Sequence, residues 1–105
     1  MSAGDLVWVD LSPTKGNEQA GRRPCLVVSD TFARLPIVVP LTHTSRGWPT
    51  HVELEETPGS GMPSVAMCEQ LRSVSSERIV GFAGRVSRSE LALVRRVLGH
   101  LLEIE

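Results

Sequence analysis

Short apolar segments, separated by polar stretches rich in Pro and Gly, make up most of this chain as far as Val86. The segments are rich in β-branched residues and are shorter than a typical helix, so each one predicts a β-strand. We expect strands at residues 6–11, 24–29, 37–41, 50–54, 64–68, 71–74 and 79–86. The fifth and sixth of these could form one bent strand. The pattern as a whole predicts a mainly β fold.

The end of the chain has a different pattern, which predicts an α-helix. Ser87 and Glu90 have the spacing of a capping box, in which each side chain bonds the backbone amide of the other. Apolar residues then recur every three or four positions and give the helix one apolar face. They are Leu91, Val94, Leu98 and Leu101. We therefore expect a small, strongly bent antiparallel sheet closed by a C-terminal helix, in a single domain spanning residues 1–105.

The composition excludes several classes of protein. No apolar stretch approaches the roughly 18 residues that a membrane-spanning helix needs. The N-terminus lacks the basic and apolar parts of a signal peptide, so we expect a cytoplasmic protein that does not contact a membrane. The formal net charge of −1 argues against a protein that coats nucleic acid nonspecifically, but it permits a local basic patch.

The two cysteines, Cys25 and Cys68, lie in apolar segments and lack the spacing of metal ligands. We expect buried, reduced thiols rather than a disulfide or a zinc site. No other cluster has the ligand spacing for magnesium or zinc, so the sequence predicts no metal and no cofactor.

A polar loop at residues 12–21 runs directly into the second predicted strand and is dense in functional groups. Residues 17–26, with the sequence NEQAGRRPCL, bring together a carboxylate, side-chain amides and two guanidinium groups. The strand gives Arg23 a rigid base, so its charged head can be aimed without an ordering cost at each binding event. Side-chain alternation along the strand predicts that Arg22 points the other way.

These residues, with others spread over nearly the whole chain, resemble the MazF/PemK family of toxin endoribonucleases. The order and spacing of the shared motifs carry the resemblance. They are GDLVWVDL at 4–11, PTKG at 13–16, NEQAGRRPCL at 17–26, CLVVSD at 25–30, VPLT at 39–42, THVEL at 50–54 and EQLR at 69–72.

The resemblance implies a small SH3-like barrel of the MazF/CcdB toxin kind and a sequence-selective, metal-independent endoribonuclease that cleaves single-stranded RNA. It implies a growth-arresting toxin that a partly disordered, acidic antitoxin of the MazE kind neutralises by lying across the RNA groove. It also implies a two-fold homodimer whose interface the groove spans. The family assigns catalysis chiefly to an arginine and a threonine, and the matching residues here are Arg23 and Thr42. Glu69 and Gln70 resemble its base-contacting position.

Metal-free RNA cleavage needs a base for the 2′-hydroxyl proton, positive charge at the phosphorane and an acid for the leaving 5′-oxygen. Arg23 suits the second task because its planar guanidinium matches phosphate oxygens in pairs. Thr42 can donate a hydrogen bond to a phosphate oxygen. Glu18 is the candidate base, although a glutamate in a loop can equally be a solvated or structural acceptor.

Further residues of the loops and strand ends are candidates for binding RNA. Trp48 could stack on a base, which would contribute about 1–3 kcal/mol to binding. Alternatively, it could fill a small cluster within its own loop. His43 could be an accessory acid or base, whereas we expect His51 to be an ordinary cross-strand neighbour on a polar strand face. The full set of predicted RNA-binding residues is Lys15, Asn17, Gln19, His43, Arg46, Trp48, Glu69, Gln70 and Arg72.

Two other functions compete with RNA cleavage. A non-enzymatic, CcdB-like toxin that binds and inhibits gyrase could use the same fold, but that branch ends in Trp-Gly-Ile, whereas this chain ends in LLEIE. An inert SH3-like interaction module or a decayed toxin is the third possibility. The presence of Glu18, Arg23 and Thr42 argues against it.

Overall fold

A computed structural model describes residues 1–11, 21–55 and 63–104. Within these ranges, seven strands and one α-helix follow one another. They are β1 (Asp5–Asp10), β2 (Arg22–Ser29), β3 (Ile37–Thr42), β4 (His51–Leu54), β5 (Ser64–Met67), β6 (Arg72–Ser73), β7 (Ile79–Arg85) and α1 (Arg88–Leu101). Two short 3₁₀ turns, Cys68–Gln70 and Ser76–Arg78, precede β6 and β7.

The strands form one antiparallel sheet in the order β4-β5-β3-β2-β1-β7, and β6 pairs with β3 off this path. The predicted mainly β fold with a C-terminal helix is confirmed. Within the described residues the order has two ends, at β4 and β7, so the ring of strand pairs is not closed. The sheet therefore has as many strands as a small barrel needs, but in the described part of the chain β4 and β7 remain edge strands and do not pair with each other.

The segments at 64–68 and 71–74 are two separate strands rather than one bent strand. β5 pairs with the end of β3, where Leu41 lies opposite Ala66. β6 pairs with the start of β3, where Val38 lies opposite Arg72. The 3₁₀ turn between them redirects the chain from one end of β3 to the other, and it presents Glu69 and Gln70 at the sheet surface.

Both faces of the central strands are apolar, which explains why β2 reads as a continuous apolar run. On one face, Leu26 and Leu41 pack with Val94 and Leu98 of the helix. The opposite face has a second cluster, in which all six residues are buried. It comprises Val7, Val9, Cys25, Val27, Val38 and Val74.

The helix begins as the sequence predicts. Ser87 Oγ accepts a hydrogen bond from Glu90 N over 3.1 Å, and Glu90 Oε1 accepts one from Ser87 N over 2.9 Å. Val94 and Leu98 of the predicted stripe are buried, whereas Leu101 in the last turn is 41% exposed. No helix in the described part of the chain is long and apolar enough to cross a membrane.

Both cysteines are free, and the expected burial of their side chains is confirmed. Burial raises the pKa of the Cys25 thiol and that of the Cys68 thiol to about 11 in each case. Both thiols therefore stay protonated at neutral pH.

Candidate functional site

The two residues that the family resemblance marks as catalytic lie on the same face of the sheet. β2 and β3 pair so that Cys25 faces Pro40 and Val27 faces Val38. Alternation along each strand then puts Arg23 of β2 and Thr42 of β3 on this face as well. Arg23 is partly buried at the start of its strand, and Thr42 is the last residue of β3.

Arg22 and Arg23 point in opposite directions, as alternation predicts. In the pairing of β1 with β2, Val9 faces Arg23 and Asp10 faces Arg22, so the two arginines lie on opposite faces of the sheet. Arg22 is exposed. The adjacent guanidinium groups therefore have different surroundings, and only that of Arg23 lies on the face of Thr42.

A second arginine, Arg72, joins Arg23 on this face. Arg72 lies opposite Val38, which belongs to the same cluster as Cys25. Burial raises the pKa of the Cys25 thiol, while the positive charges of Arg23 and Arg72 both act to lower it. Both guanidinium groups are therefore near the thiol, and together they form a local positive potential on a chain with a net charge of −1.

The Thr42 hydroxyl oxygen is held by the backbone of a nearby residue. Thr44 N donates a hydrogen bond to Thr42 Oγ1 over 3.2 Å. This bond uses a lone pair of the oxygen and leaves the hydroxyl hydrogen available for donation. The arrangement suits a donor to a phosphate oxygen.

A cleft of about 280 Å³ adjoins Thr42 and contains four of the nine predicted RNA-binding residues. These four are Arg46, Trp48, Glu69 and Gln70. Trp48 is 48% exposed, and the guanidinium carbon of Arg46 lies 5.8 Å from the centroid of its ring. The cleft therefore combines an exposed aromatic surface, a cation and a side-chain amide, which are the groups that bind single-stranded nucleic acid.

The cleft also contains His51, which sequence reasoning did not select. The expectation of an ordinary neighbour on a polar face was incomplete: His51 lies opposite Met67 in the strand pairing, but its side chain is only 4% exposed. Its Nε2 atom lies 3.1 Å from Glu69 Oε2, and the Trp48 ring packs against it with 5.0 Å between ring centroids. Nothing in the alternating pattern of β4 could have indicated this burial, because it depends on the 3₁₀ turn after β5.

Glu69 has protein partners on both carboxylate oxygens. Thr50 Oγ1 donates to Glu69 Oε1 over 2.7 Å, and His51 Nε2 bonds Oε2. Burial raises the pKa of Glu69, but the hydrogen bonds from Thr50, from its own backbone amide and from His51 outweigh burial and lower it below its ordinary value. Glu69 is therefore a carboxylate at neutral pH, held in one position.

Other predicted residues lie outside this cleft. His43 is exposed beside Thr42, and its Nδ1 atom lies 3.3 Å from the carbonyl oxygen of Pro63. The predicted Lys15, Asn17, Glu18 and Gln19 fall outside the described residues. Among the residues that are described, no group of three or more His, Cys, Asp or Glu side chains is placed to hold a metal ion.

The chain matches a known protein family along nearly its whole length. Residues 2–102 match the family described as PemK-like, MazF-like toxin of type II toxin–antitoxin system. The endoribonuclease toxin MazF of Escherichia coli strain K12 is 36% identical over 104 residues, covering 94% of this chain and 91% of that protein. Endoribonuclease MazF9 of Mycobacterium tuberculosis is 37% identical over 109 residues, covering 93% and 92%.

Solved structures show the same fold. MazF from Deinococcus radiodurans (Form-I) superposes with a TM-score of 0.78 at 33% identity, covering 98% of this chain and 96% of that one. A MazE–MazF structure from the same organism (Form-III) gives a TM-score of 0.81 at 31% identity, with coverage of 100% and 98%.

Proposed function

Since this chain belongs to the PemK-like, MazF-like toxin family of type II toxin–antitoxin systems, we propose that it is an endoribonuclease that cleaves single-stranded RNA without a metal ion. The observation that carries the proposal is the common face of Arg23 and Thr42, with the cleft of Arg46, Trp48 and Gln70 next to it. Curated relatives are named endoribonucleases, which favours this function over a gyrase-binding toxin.

In this reaction the RNA supplies its own nucleophile. The 2′-oxygen bonds to the adjacent phosphorus while the bond from phosphorus to the 5′-oxygen breaks. The 2′-hydroxyl proton passes to a base, and a proton is delivered to the leaving 5′-oxygen. The products are a 2′,3′-cyclic phosphate end and a 5′-hydroxyl end.

Arg23 and Thr42 stabilise the charge that appears as this step proceeds. The Arg23 guanidinium donates two parallel hydrogen bonds to the phosphate oxygens, and the Thr42 hydroxyl donates another. Because a guanidinium only donates hydrogen bonds and offers no acceptor, Arg23 does not act as the base. We assign that role to Glu18, while His43, exposed beside Thr42, is the accessory acid or base.

The remaining predicted residues bind the substrate on either side of the scissile phosphate. Trp48 stacks on a base, and Gln70 bonds a base edge with its amide. The basic side chains bind the phosphates of the RNA backbone. The residues assigned to RNA binding are Lys15, Asn17, Gln19, His43, Arg46, Trp48, Glu69, Gln70 and Arg72. Single-stranded RNA fits this set because its bases are free to stack and to be read at their edges.

The same groove is the proposed site of regulation. We assign to it an acidic, MazE-like antitoxin segment, whose carboxylates would occupy the positions of RNA phosphates. A MazE–MazF structure among the similar folds supports this partner. We also assign a homodimer in the cytoplasm. Exposed apolar residues support self-association, since Val80 is 42% and Phe82 68% exposed on the edge strand β7.

The decisive experiment is cleavage of a long single-stranded RNA by the purified protein in the presence of a chelator. We expect discrete cuts at a short recurring sequence, each with a cyclic phosphate end. Intact RNA after long incubation with folded protein would contradict the proposed function. Cleavage of double-stranded RNA at an equal rate would contradict the substrate class.

A further inference from the structure

The imidazole of His51 has one ring nitrogen that the protein leaves unsatisfied. Nε2 bonds Glu69, but Nδ1 is buried and has no hydrogen-bond partner among the described residues. Buried polar atoms in folded proteins are nearly always paired, so an exception needs a physical reason. Here the atom belongs to a side chain that lines the cleft beside Thr42.

The partners of Glu69 determine which ring nitrogen carries the proton. A carboxylate can only accept hydrogen bonds, so His51 Nε2 must donate to Glu69 Oε2. In the neutral imidazole, Nδ1 is then a bare acceptor. The 2.7 Å bond from Thr50 to the other carboxylate oxygen keeps Glu69 in this position. Thr50 and Glu69 are therefore positioning residues that fix the tautomer of His51.

The Trp48 ring lies beside the imidazole that carries this acceptor. It packs against the imidazole with an angle of 41° between the ring planes. Residues 43–49 are exposed and belong to no helix or strand, so the indole can move without breaking the sheet. A base that displaced the indole from the imidazole would keep Trp48 as a stacking partner and would approach Nδ1 with its edge, in the plane of the imidazole.

We propose that His51 Nδ1 reads one base of the RNA by accepting a hydrogen bond from the amino group at the 6-position of a purine or the 4-position of a pyrimidine, so that the cleft selects adenine or cytosine at one position. Adenine and cytosine carry an amino donor at that ring position, whereas guanine and uracil carry a carbonyl oxygen there. A carbonyl oxygen facing Nδ1 would leave two acceptors in contact without a proton between them, which is unfavourable in a buried site. This inference rests on the proposed function and adds to it the selectivity of one subsite.

The first test uses the unaltered protein and therefore does not depend on the folding of a variant. Cleavage of a randomised single-stranded RNA pool would define the preferred sequence, in which we expect one position restricted to adenine or cytosine. Replacing an adenosine there by purine riboside, which lacks only the amino group, should lower kcat/KM about tenfold. Unchanged kcat/KM at every adenosine or cytidine position, with the amino group removed, would overturn the inference while leaving the nuclease function intact.

The second test assigns the effect to His51. His51→Phe keeps an aromatic ring and removes both nitrogens, so the preference for the amino-bearing base should shrink to less than about threefold. Selectivity at the other positions of the sequence should remain. Glu69→Gln can donate to Nε2 and release the forced tautomer, so it should relax the same position. Retention of the full preference in folded His51→Phe would overturn the assignment.

A matched control is His100→Phe, because His100 is exposed in the last turn of α1 and outside the cleft. It should cleave with unaltered selectivity. An unaltered protein that cleaves no RNA at all would refute the proposed function itself, an outcome distinct from cleavage that ignores the amino group.

Discussion

Thr44 donates its backbone N–H to the hydroxyl oxygen of Thr42 over 3.2 Å, and this bond holds the oxygen in place while leaving its hydrogen free to donate. The geometry is set within three residues at the end of β3, so it does not depend on bound RNA. A donor fixed in advance stabilises developing charge without a reorganisation cost during the reaction.

Replacement of Thr42 by Val should therefore impair turnover more than binding. The variant keeps the shape of the side chain and removes the donor, which should lower kcat about 10²–10³-fold. Affinity for an RNA with a 2′-deoxy nucleotide at the cleavage site should change little, because the donor acts on charge that develops in the transition state. Thr31→Val, in the exposed turn after β2, is the control. Equal losses in affinity and turnover would make Thr42 a binding contact only.

Arg23 and Arg22 form a matched pair for testing the cation. Arg23→Ala should raise the barrier to cleavage by about 2.7–4 kcal/mol while leaving the fold intact, since the guanidinium acts on phosphate. Arg22→Ala removes the same charge from the opposite face and should have a much smaller effect on kcat. Single-turnover cleavage and circular dichroism of both variants check this. Near-normal cleavage by folded Arg23→Ala protein would contradict its assignment.

Cleavage should be independent of divalent metal ions. The reaction assigned here uses guanidinium and hydroxyl donors for the work that a metal ion does in other nucleases. Cleavage rates in excess chelator should match those in magnesium, and the 3′ ends should carry a cyclic phosphate. Loss of activity in chelator, with recovery on addition of magnesium, would refute the mechanism.

Local patterns predicted much of this fold because they act within a few residues. Ser87 and Glu90 form their capping box within one helical turn. The apolar segments of β1 to β3 likewise favour strands through the properties of adjacent residues. Alternation along β2 likewise predicted the opposite directions of Arg22 and Arg23, because successive side chains of a strand point to opposite faces of the sheet.

The part of the site around His51 could not be predicted in this way. The contact with Glu69 joins residues 18 positions apart and depends on a 3₁₀ turn after β5. The sequence pattern left open whether residues 64–74 form two strands or one bent strand, and a continuous strand would not have had the turn that holds Glu69. Tertiary pairing of β5 and β6 with opposite ends of β3 determined the outcome.

Acid should destabilise the protein partly through Glu90. Partial burial raises the pKa of Glu90, but bonds from the backbone amides of Ser87 and Glu55 outweigh it and lower that pKa below its ordinary value of 4.5. The Glu90 carboxylate therefore binds a proton less readily in the folded state than in the unfolded chain. The stability that the Glu90 carboxylate contributes is complete above about pH 4.5, and it is lost as the pH falls through the pKa of Glu90 in the folded state.

Glu90→Gln removes this titration, so the free energy of unfolding should fall less steeply between about pH 5 and pH 3 than in the unaltered protein. Urea denaturation at a series of pH values measures the difference. Glu77→Gln, at an exposed position in the turn before β7, is the control. Parallel pH profiles for Glu90→Gln and the unaltered protein would contradict the role given to this carboxylate.

Self-association should depend on the free edge of the sheet at β7. This strand pairs only with β1 among the described strands, and Phe82 on it is 68% exposed. A small domain gains buried apolar area by pairing such an edge with a second copy, so we predict a homodimer at micromolar concentration. Phe82→Asp should shift sedimentation toward the monomer, and it should lower cleavage if the RNA groove spans the dimer interface, as the family resemblance implies. Phe32→Asp is a matched control, since Phe32 is 74% exposed in the turn after β2. A strict monomer that cleaves at full rate would refute the shared groove and would confine the RNA site to one subunit.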